Sequence, residues 1–189
     1  MIAMLTALAG LSTPGAAQGG TSGAPAGGVT LGLAYTVGTS WQLQALDVGY
    51  AHTVRAGPLS VAALTARIGD FIDQAAIIGG SKGFVCGVTL AGRTGTVRLA
   101  DIGSDSSPTR LGADVTLEAT GYAGAHSPLL VGSPWGAVSA LLGLRVGNPT
   151  AAQYALVVGP TVFLGHGSDV RAFLGIRYEA ALARGGRSP

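Results

Sequence analysis

The sequence predicts an all-β fold in which eight antiparallel strands close into an up-and-down barrel. After Gly28, large apolar residues alternate with small or polar ones over most of the chain, as in strands whose two faces differ. Glycine accounts for 32 of the 189 residues and Lys82 is the only lysine, a composition that suits turns and close-packed strands better than surface helices. These observations favour one all-β domain.

The composition also indicates that this barrel is transmembrane. The mean hydropathy is +0.46 and charged residues make up 11% of the chain, against about 25% in an ordinary soluble domain. The part after the N-terminal segment contains no run of about 18 uncharged apolar residues, the length that a membrane-spanning helix requires. The other spanning architecture is a closed barrel, because every backbone N–H and C=O must be paired in lipid.

The first 27 residues do not follow the strand pattern. An apolar stretch up to Leu11 and small residues before Gln18 predict a signal peptide over residues 1–17. The alternative is a buried N-terminal helix, which Pro14 would break quickly. Residues 18–27 are predicted to be a flexible linker, residues 28–183 the barrel domain and residues 184–189 a C-terminal tail.

The first three strands are separated by short turns. The first ends before Gly38-Thr39-Ser40, and Ala56-Gly57-Pro58 separates the second from the third. In the second strand, Trp41 and Leu43 occupy odd positions whereas the later large apolar residues are even, so a β-bulge is expected near Ala45. The predicted strands are 29–37, 41–55 and 59–68.

A long exposed loop is predicted over residues 69–82, since it contains Gly79-Gly80-Ser81. The fourth strand begins at Gly83 and continues to Leu99, with an irregularity at Thr94-Gly95. A polar turn region follows at residues 102–108.

The last four strands show the alternation most clearly. A second long loop is predicted over residues 121–134, and Pro160 predicts a bulge or local kink in the seventh strand because proline cannot donate to the ladder. The predicted strands are 111–120, 138–146, 151–164 and 170–182.

Charged residues on the strands lie mostly opposite the large aliphatic side chains. The faces that carry them are otherwise mainly Gly, Ala and Thr, which indicates a crowded interior rather than a surface in water. The acids and arginines are expected to pair across the lumen and fill it, and an eight-stranded barrel is too narrow for a wide pore. This predicted lumen network comprises Asp47, Arg55, Asp114, Glu118, Arg145, Arg171, Arg177 and Glu179.

Five aromatic residues near strand ends are expected at the two membrane interfaces. They are Tyr35, Trp41, Trp135, Tyr154 and Tyr178.

From Gly28 to about Leu182 the chain resembles the small bacterial outer-membrane β-barrel proteins, the OmpA- and OmpX-like group with a porin-like barrel. The resemblance rests on alternating strands such as Leu111–Thr120 and Val170–Leu182. It implies a location in the bacterial outer membrane, with outer-membrane lipid as the partner. Members of the group serve as anchors, adhesins, small-solute conduits or lipid-modifying enzymes, so the resemblance does not select one activity.

No pattern of reactive residues indicates an enzyme, a metal site or a cofactor site. His52, His126 and His166 have no ligand-type spacing, and His126-Ser127 is the nearest approach to a hydrolytic pair. Cys86 is the only cysteine, which excludes an intramolecular disulfide. Asp70, Asp73, Asp101 and Asp105 are interpreted as solvated carboxylates, and the scattered arginines give no cluster that would bind nucleic acid.

The leading functional hypothesis is an outer-membrane barrel with a structural or surface-interaction role, in which loops 69–82 and 121–134 contact an envelope or surface partner. The alternative is a secreted soluble barrel that carries a small apolar ligand, in the manner of a lipocalin. A third, weaker hypothesis is a lipid-modifying enzyme. The first two differ in whether the large aliphatic side chains point outward or into the barrel.

Overall fold

A computed structural model describes residues 27–38, 41–73, 81–103, 109–123, 134–165 and 168–182. The predicted signal peptide, nearly all of the linker and the C-terminal tail lie outside these residues. None of the described residues forms a helix long and apolar enough to cross a membrane. The strands are β1 (Gly27–Val37), β2 (Trp41–Ala56), β3 (Leu59–Asp73), β4 (Ser81–Thr94), β5 (Val97–Ile102), β6 (Thr109–Ala123), β7 (Gly136–Asn148), β8 (Ala152–Leu164) and β9 (Ser168–Ala181).

The strands form a closed antiparallel barrel. Successive strands pair along the chain, β1 pairs with β9, and β4 pairs with β6. β4 and β5 together make one side of the barrel, because β4 pairs with the second half of β6 and β5 with its first half. The interruption between them falls at residues 95–96, next to the irregularity predicted at Thr94-Gly95. The predicted eight-stranded up-and-down barrel is therefore confirmed.

The strands are strongly staggered around the barrel. A path through paired residues that leaves β6 at Arg110 returns to β6 at Thr120, ten residues further along. With a rise of about 3.3 Å per residue and about 4.8 Å between strands, this stagger corresponds to a strand tilt of about 40°.

The two ends of the barrel differ in their connections. We call the end where β1 begins and β9 ends the proximal end, and the opposite end the distal end. The proximal end carries the two-residue turn Gly57-Pro58, in which Gly57 has φ +60°. That sign, followed by the fixed negative φ of proline, matches a type II′ hairpin turn. The connections 74–80 and 124–135 both join strands at the distal end.

The predicted bulge near Ala45 is wrong. β2 pairs with β1 from Gln44 to His52 and with β3 from Trp41 to Thr53 without a register shift, and the only shift in the β2–β3 ladder lies between Thr53 and Ala56. Trp41 and Leu43 are buried on the same face as Asp47. The change in phase reflects a barrel interior that is apolar at the distal end and charged in the middle.

Both predicted long loops are shorter than expected. β3 continues to Asp73 and β4 begins at Ser81, so the strands include residues 69–73 and 81–82. Gly69 looked like a strand end but lies in the ladder, where a Cβ atom would stand 2.2 Å from the Gln44 carbonyl oxygen. Likewise β6 continues to Ala123.

Pro160 does not produce the predicted bulge. The registers of β8 with β7 and with β9 are unchanged across it. The ladder with β7 does lack pairs at Gly159 and Pro160, which is the local loss of pairing expected where proline has no N–H.

Candidate functional site

The interior face of the barrel gathers the charged residues of the strands. Side chains alternate between the two faces, so a charge at every second or fourth position of a strand enters the lumen. Of the predicted network, Asp47, Asp114, Glu118, Arg145, Arg171, Arg177 and Glu179 all lie on this face. Arg55 lies on β2, and its side chain is outside the described part of the structure.

Four of the lumen side chains form a central quartet: Asp47, Arg67, Glu118 and Arg177. The Arg67 guanidinium donates from Nε to Asp47 Oδ1 at 2.7 Å and from Nη2 to Asp47 Oδ2 at 2.8 Å. Arg67 Nη2 also lies 3.5 Å from Glu118 Oε2, and Arg177 donates to Glu118 from across the lumen. Two arginines balance two carboxylates, so these buried charges are mutually neutralised.

A second set lies nearer the proximal end, and we call it the mouth quartet: Arg93, Asp114, Arg145 and Glu179. Arg93 Nη1 donates to both oxygens of Glu179 at 2.8 Å. Arg145 Nη1 lies 3.0 Å from Glu179 Oε1, and Arg145 Nε donates to Asp114. This quartet also contains two arginines and two carboxylates, and its Arg93–Glu179 pair links β4 to β9 on opposite sides of the barrel.

Sequence reasoning missed Arg67 and Arg93. Both phases of β3 carry Leu or Val, so its inward face was undecided, and Arg93 stands beside the irregularity at Thr94. The sequence did contain one signal for Arg67. Pairing residues outward from the two-residue turn at Gly57-Pro58 places Arg67 within one position of Asp47, its actual partner in the ladder.

Hydroxyl pairs occupy further space in the lumen. Thr89 and Thr120 oxygens are 2.8 Å apart, and Ser139 and Thr161 oxygens are 2.7 Å apart. All four residues are buried. Polar side chains thus fill the lumen between and around the quartets.

Aromatic side chains close the distal part of the lumen. The Trp41 ring packs edge-on against Phe71 at 5.1 Å and against Phe163 at 4.9 Å between centroids. Tyr122 stacks on Phe163 at 6.1 Å. We call Trp41, Phe71, Tyr122 and Phe163 the aromatic septum. Trp41 was expected at a membrane interface, and that expectation is wrong because the ring is buried inside the barrel.

Arg171 lies against this septum rather than in either quartet. Its guanidinium carbon is 3.8 Å from the centroid of the Trp41 ring, and its Nη1 donates to the Trp41 carbonyl oxygen at 2.6 Å. Its Nε and Nη2 donate to Asp169 Oδ2 at 3.0 and 2.5 Å. The cation is therefore held between an aromatic face and a carboxylate.

The proximal end contains a cavity of about 240 Å³. Arg93 and Glu179 of the mouth quartet line it, together with Ser60 and Gln153 among others. Most of the surface lining this cavity is apolar, and Arg93 and Glu179 add charged groups to it. The distal end of the lumen is instead closed by aromatic rings.

Within the described residues, the remaining candidates do not come together. His52 is exposed on the outside of β2 beside the Tyr50 ring, whereas His126, Ser127 and His166 lie outside the described residues. Asp101 pairs with Arg98 and is 3.8 Å from Arg110.

Three of the carboxylates interpreted as solvated remain. Asp70 Oδ1 accepts from the Gly83 amide at 3.3 Å, while Asp105 and the Asp73 side chain are outside the described residues. Within the described ranges, no three His, Cys, Asp or Glu side chains are placed to hold a metal ion.

No protein-family model, curated protein or solved structure matches this chain.

Proposed function

We propose that the chain is an integral outer-membrane β-barrel of the bacterial envelope, with a filled lumen, whose role is structural or surface-interacting. The observation that carries the proposal is the direction of the side chains. Large aliphatic residues point outward, as at Leu33 and Leu142, which are 61% and 58% exposed, whereas Glu118 is 3% and Arg145 1% exposed. A barrel in water has the reverse distribution.

The height of the apolar exterior supports the same proposal. On β7 every outward residue from Val138 to Val146 is apolar, and on β1 apolar residues and Tyr35 extend from Val29 to Val37. Eight residue steps at a tilt of about 40° span about 20 Å. That height approaches the apolar band of about 25 Å found on outer-membrane barrels.

Outward aromatic side chains lie toward both ends of this band. Near the proximal end, Tyr154 and Tyr178 are direct partners with ring centroids 5.1 Å apart, and Tyr50 lies two strands away on β2. Near the distal end, Trp135 and Phe84 are each 63% exposed. Aromatic girdles at the two interfaces are a property of membrane barrels.

The interior argues for a scaffold rather than a carrier of apolar ligands. Two ion-pair quartets and paired hydroxyls occupy the lumen, and the proximal cavity of about 240 Å³ is below the range of about 300–1,000 Å³ for small-molecule pockets. A soluble lipocalin-like barrel would need an open apolar interior. In this lumen the buried apolar side chains, such as Leu141, Val157 and Phe173, share the space with ion pairs and hydroxyl pairs.

The distal end is the proposed interaction surface. The two longest connections, 74–80 and 124–135, both join strands at this end, as do the short connections after β1 and β8. Loops on a rigid barrel can vary without disturbing the strands that hold them. Replacing both long connections should leave the barrel assembled and remove binding to any envelope partner.

The direct test is the gel mobility of the full chain, extracted from membranes with detergent, with and without boiling. We expect extraction only by detergent and a change of mobility on boiling, because a closed ring of interstrand hydrogen bonds survives cold SDS. Recovery of folded protein in the aqueous fraction, with no change on boiling, would contradict the proposal and favour the soluble carrier.

A further inference from the structure

The aromatic septum spans the lumen from several sides. Its four rings come from β2, β3, β6 and β8, which lie around most of the barrel wall. Neighbouring ring centroids are 4.9 to 6.5 Å apart, the spacing of rings in direct contact. Leu43 and Val85, both fully buried, pack in the same cluster. The ring faces and aliphatic side chains of this constriction offer water no hydrogen bonds, and the Tyr122 hydroxyl accepts from Arg67 Nη1 at 3.3 Å. Hydrophobic constrictions of this kind exclude water.

The backbone around Arg171 leaves space for its guanidinium beside the septum. A Cβ atom on Gly38 would stand 1.3 Å from Arg171 Nη1, so the guanidinium occupies space that only glycine leaves open. From there the group covers the Trp41 ring and bonds the Trp41 carbonyl oxygen. Asp169 fixes its other side.

The two ends of the lumen therefore differ in their access to water. At the proximal end the cavity reaches the Arg93–Glu179 pair, whose side chains keep 13% and 19% exposure. At the distal end Phe71 is 0% and Phe163 2% exposed.

We propose that the aromatic septum is a watertight closure of the distal end, so that water enters the lumen from the proximal end alone. Arg171 holds the Trp41 ring in this closed arrangement, and we call it the latch. The four rings of the closure all belong to strands. Changes in the distal loops would thus alter binding at the surface without letting water into the lumen.

Thiol accessibility tests this proposal in the folded full chain. Two isosteric or near-isosteric probes are available in a Cys86→Ser background. Thr120→Cys lies on β6 between Glu118 of the central quartet and Tyr122 of the septum, and Ser60→Cys lines the proximal cavity. With a small charged methanethiosulfonate reagent, the Ser60→Cys thiol should react at least about tenfold faster than the Thr120→Cys thiol, since only an accessible thiolate reacts.

Opening the latch should remove the protection. Adding Arg171→Ala, or Gly38→Ala, which displaces the guanidinium without removing it, should raise the rate at Thr120→Cys by about tenfold or more. Arg98→Ala at the exposed proximal hairpin is the control and should leave it unchanged. The mobility shift on boiling shows which variants are folded. If Arg171→Ala does not fold, Gly38→Ala still tests the role of the guanidinium.

The two quartets fill the lumen between the proximal cavity and Thr120. Equal rates at the two probes in the otherwise unchanged barrel would therefore mean entry from the distal end and would overturn the watertight closure. Protection that survives both latch variants would overturn the role of Arg171. Because reactivity is measured on the folded barrel in detergent or in water alike, either failure is distinct from a failure of the membrane proposal.

Discussion

Arg67 is the residue on which the central quartet depends. It is 1% exposed and pairs with Asp47 and Glu118, while its guanidinium also lies 5.4 Å from the centroid of the Phe173 ring. Arg67→Met should lower the free energy of unfolding by about 3–5 kcal/mol, because Asp47 then becomes a buried charge without a partner. Urea titration followed by the mobility shift measures the change.

The control for this prediction is a double variant. Asp47→Leu with Arg67→Met removes both charges and leaves Glu118 paired with Arg177, so most of the lost stability should return. If the single and double variants are equally unstable, packing of the long Arg67 side chain outweighs its charge.

Residue-level prediction from sequence worked where alternation was unambiguous. Asp114 and Glu118 could be placed inside because β6 carries aliphatic residues on one face alone. Trp41 and Arg67 could not be placed, because an aromatic at a strand end suits an interface or a plug, and a strand with two apolar faces has no evident interior. Only the pairing register, a non-local property, resolves both cases.

Glycines in the strands set how closely neighbouring elements approach. A Cβ atom on Gly49 would stand 2.1 Å from the Leu64 carbonyl oxygen of β3, whereas nothing lies within 4 Å of a Cβ atom on Gly121. Gly49→Ala should therefore destabilise the barrel by about 1–3 kcal/mol, since the β3 backbone must move.

Gly121→Ala is the matched control in the same urea titration. It should be neutral or slightly stabilising, because the unfolded chain loses freedom and the folded chain loses no contact. Similar destabilisation by the two substitutions would show that strand glycines matter here through backbone conformation rather than through close approach.

At the scale of elements, the positions of turns were more predictable than bulges or strand lengths, since neither bulge predicted within a strand, near Ala45 and at Pro160, is present. The break at Thr94-Gly95 and the turn at Gly57-Pro58 have local chemical causes and occur as expected. Strand ends at residues 73, 81 and 123 could not be inferred, because a strand continues wherever a neighbour offers partners, and glycine within a ladder looks like a loop. Pro160 has a local chemical reason to interrupt its strand, yet the pairing of β8 with β9 keeps its register across this residue.

At the scale of the whole molecule, the strand number, order and closure follow from the alternation and from the need to pair every strand edge. The ten-residue stagger does not, since it is the sum of eight separate registers. The layering of the lumen depends on that stagger, because it decides which inward residues of different strands share a level. The quartets and the septum were therefore beyond prediction as assembled groups. Alternation placed six of the eight quartet residues in the lumen and none of the four septum residues.

If the outer face contacts lipid, the free-energy cost of an arginine on that face depends on how deep in the membrane the position lies. Leu142 lies near the middle of β7 and Val146 near its proximal end, and both point outward, at 58% and 40% exposure. In lipid, Leu142→Arg should cost about 2–4 kcal/mol of folding free energy and Val146→Arg about 0–1 kcal/mol, because an arginine near the interface reaches the headgroups. Folding into vesicles across a urea series, read by the mobility shift, measures both.

In water both substitutions would change stability by about 0.5 kcal/mol or less, as surface changes do. Equal small effects at the two depths would place the outer face in solvent, whereas a loss confined to Leu142 requires a medium that is apolar at mid-barrel and polar at its rim.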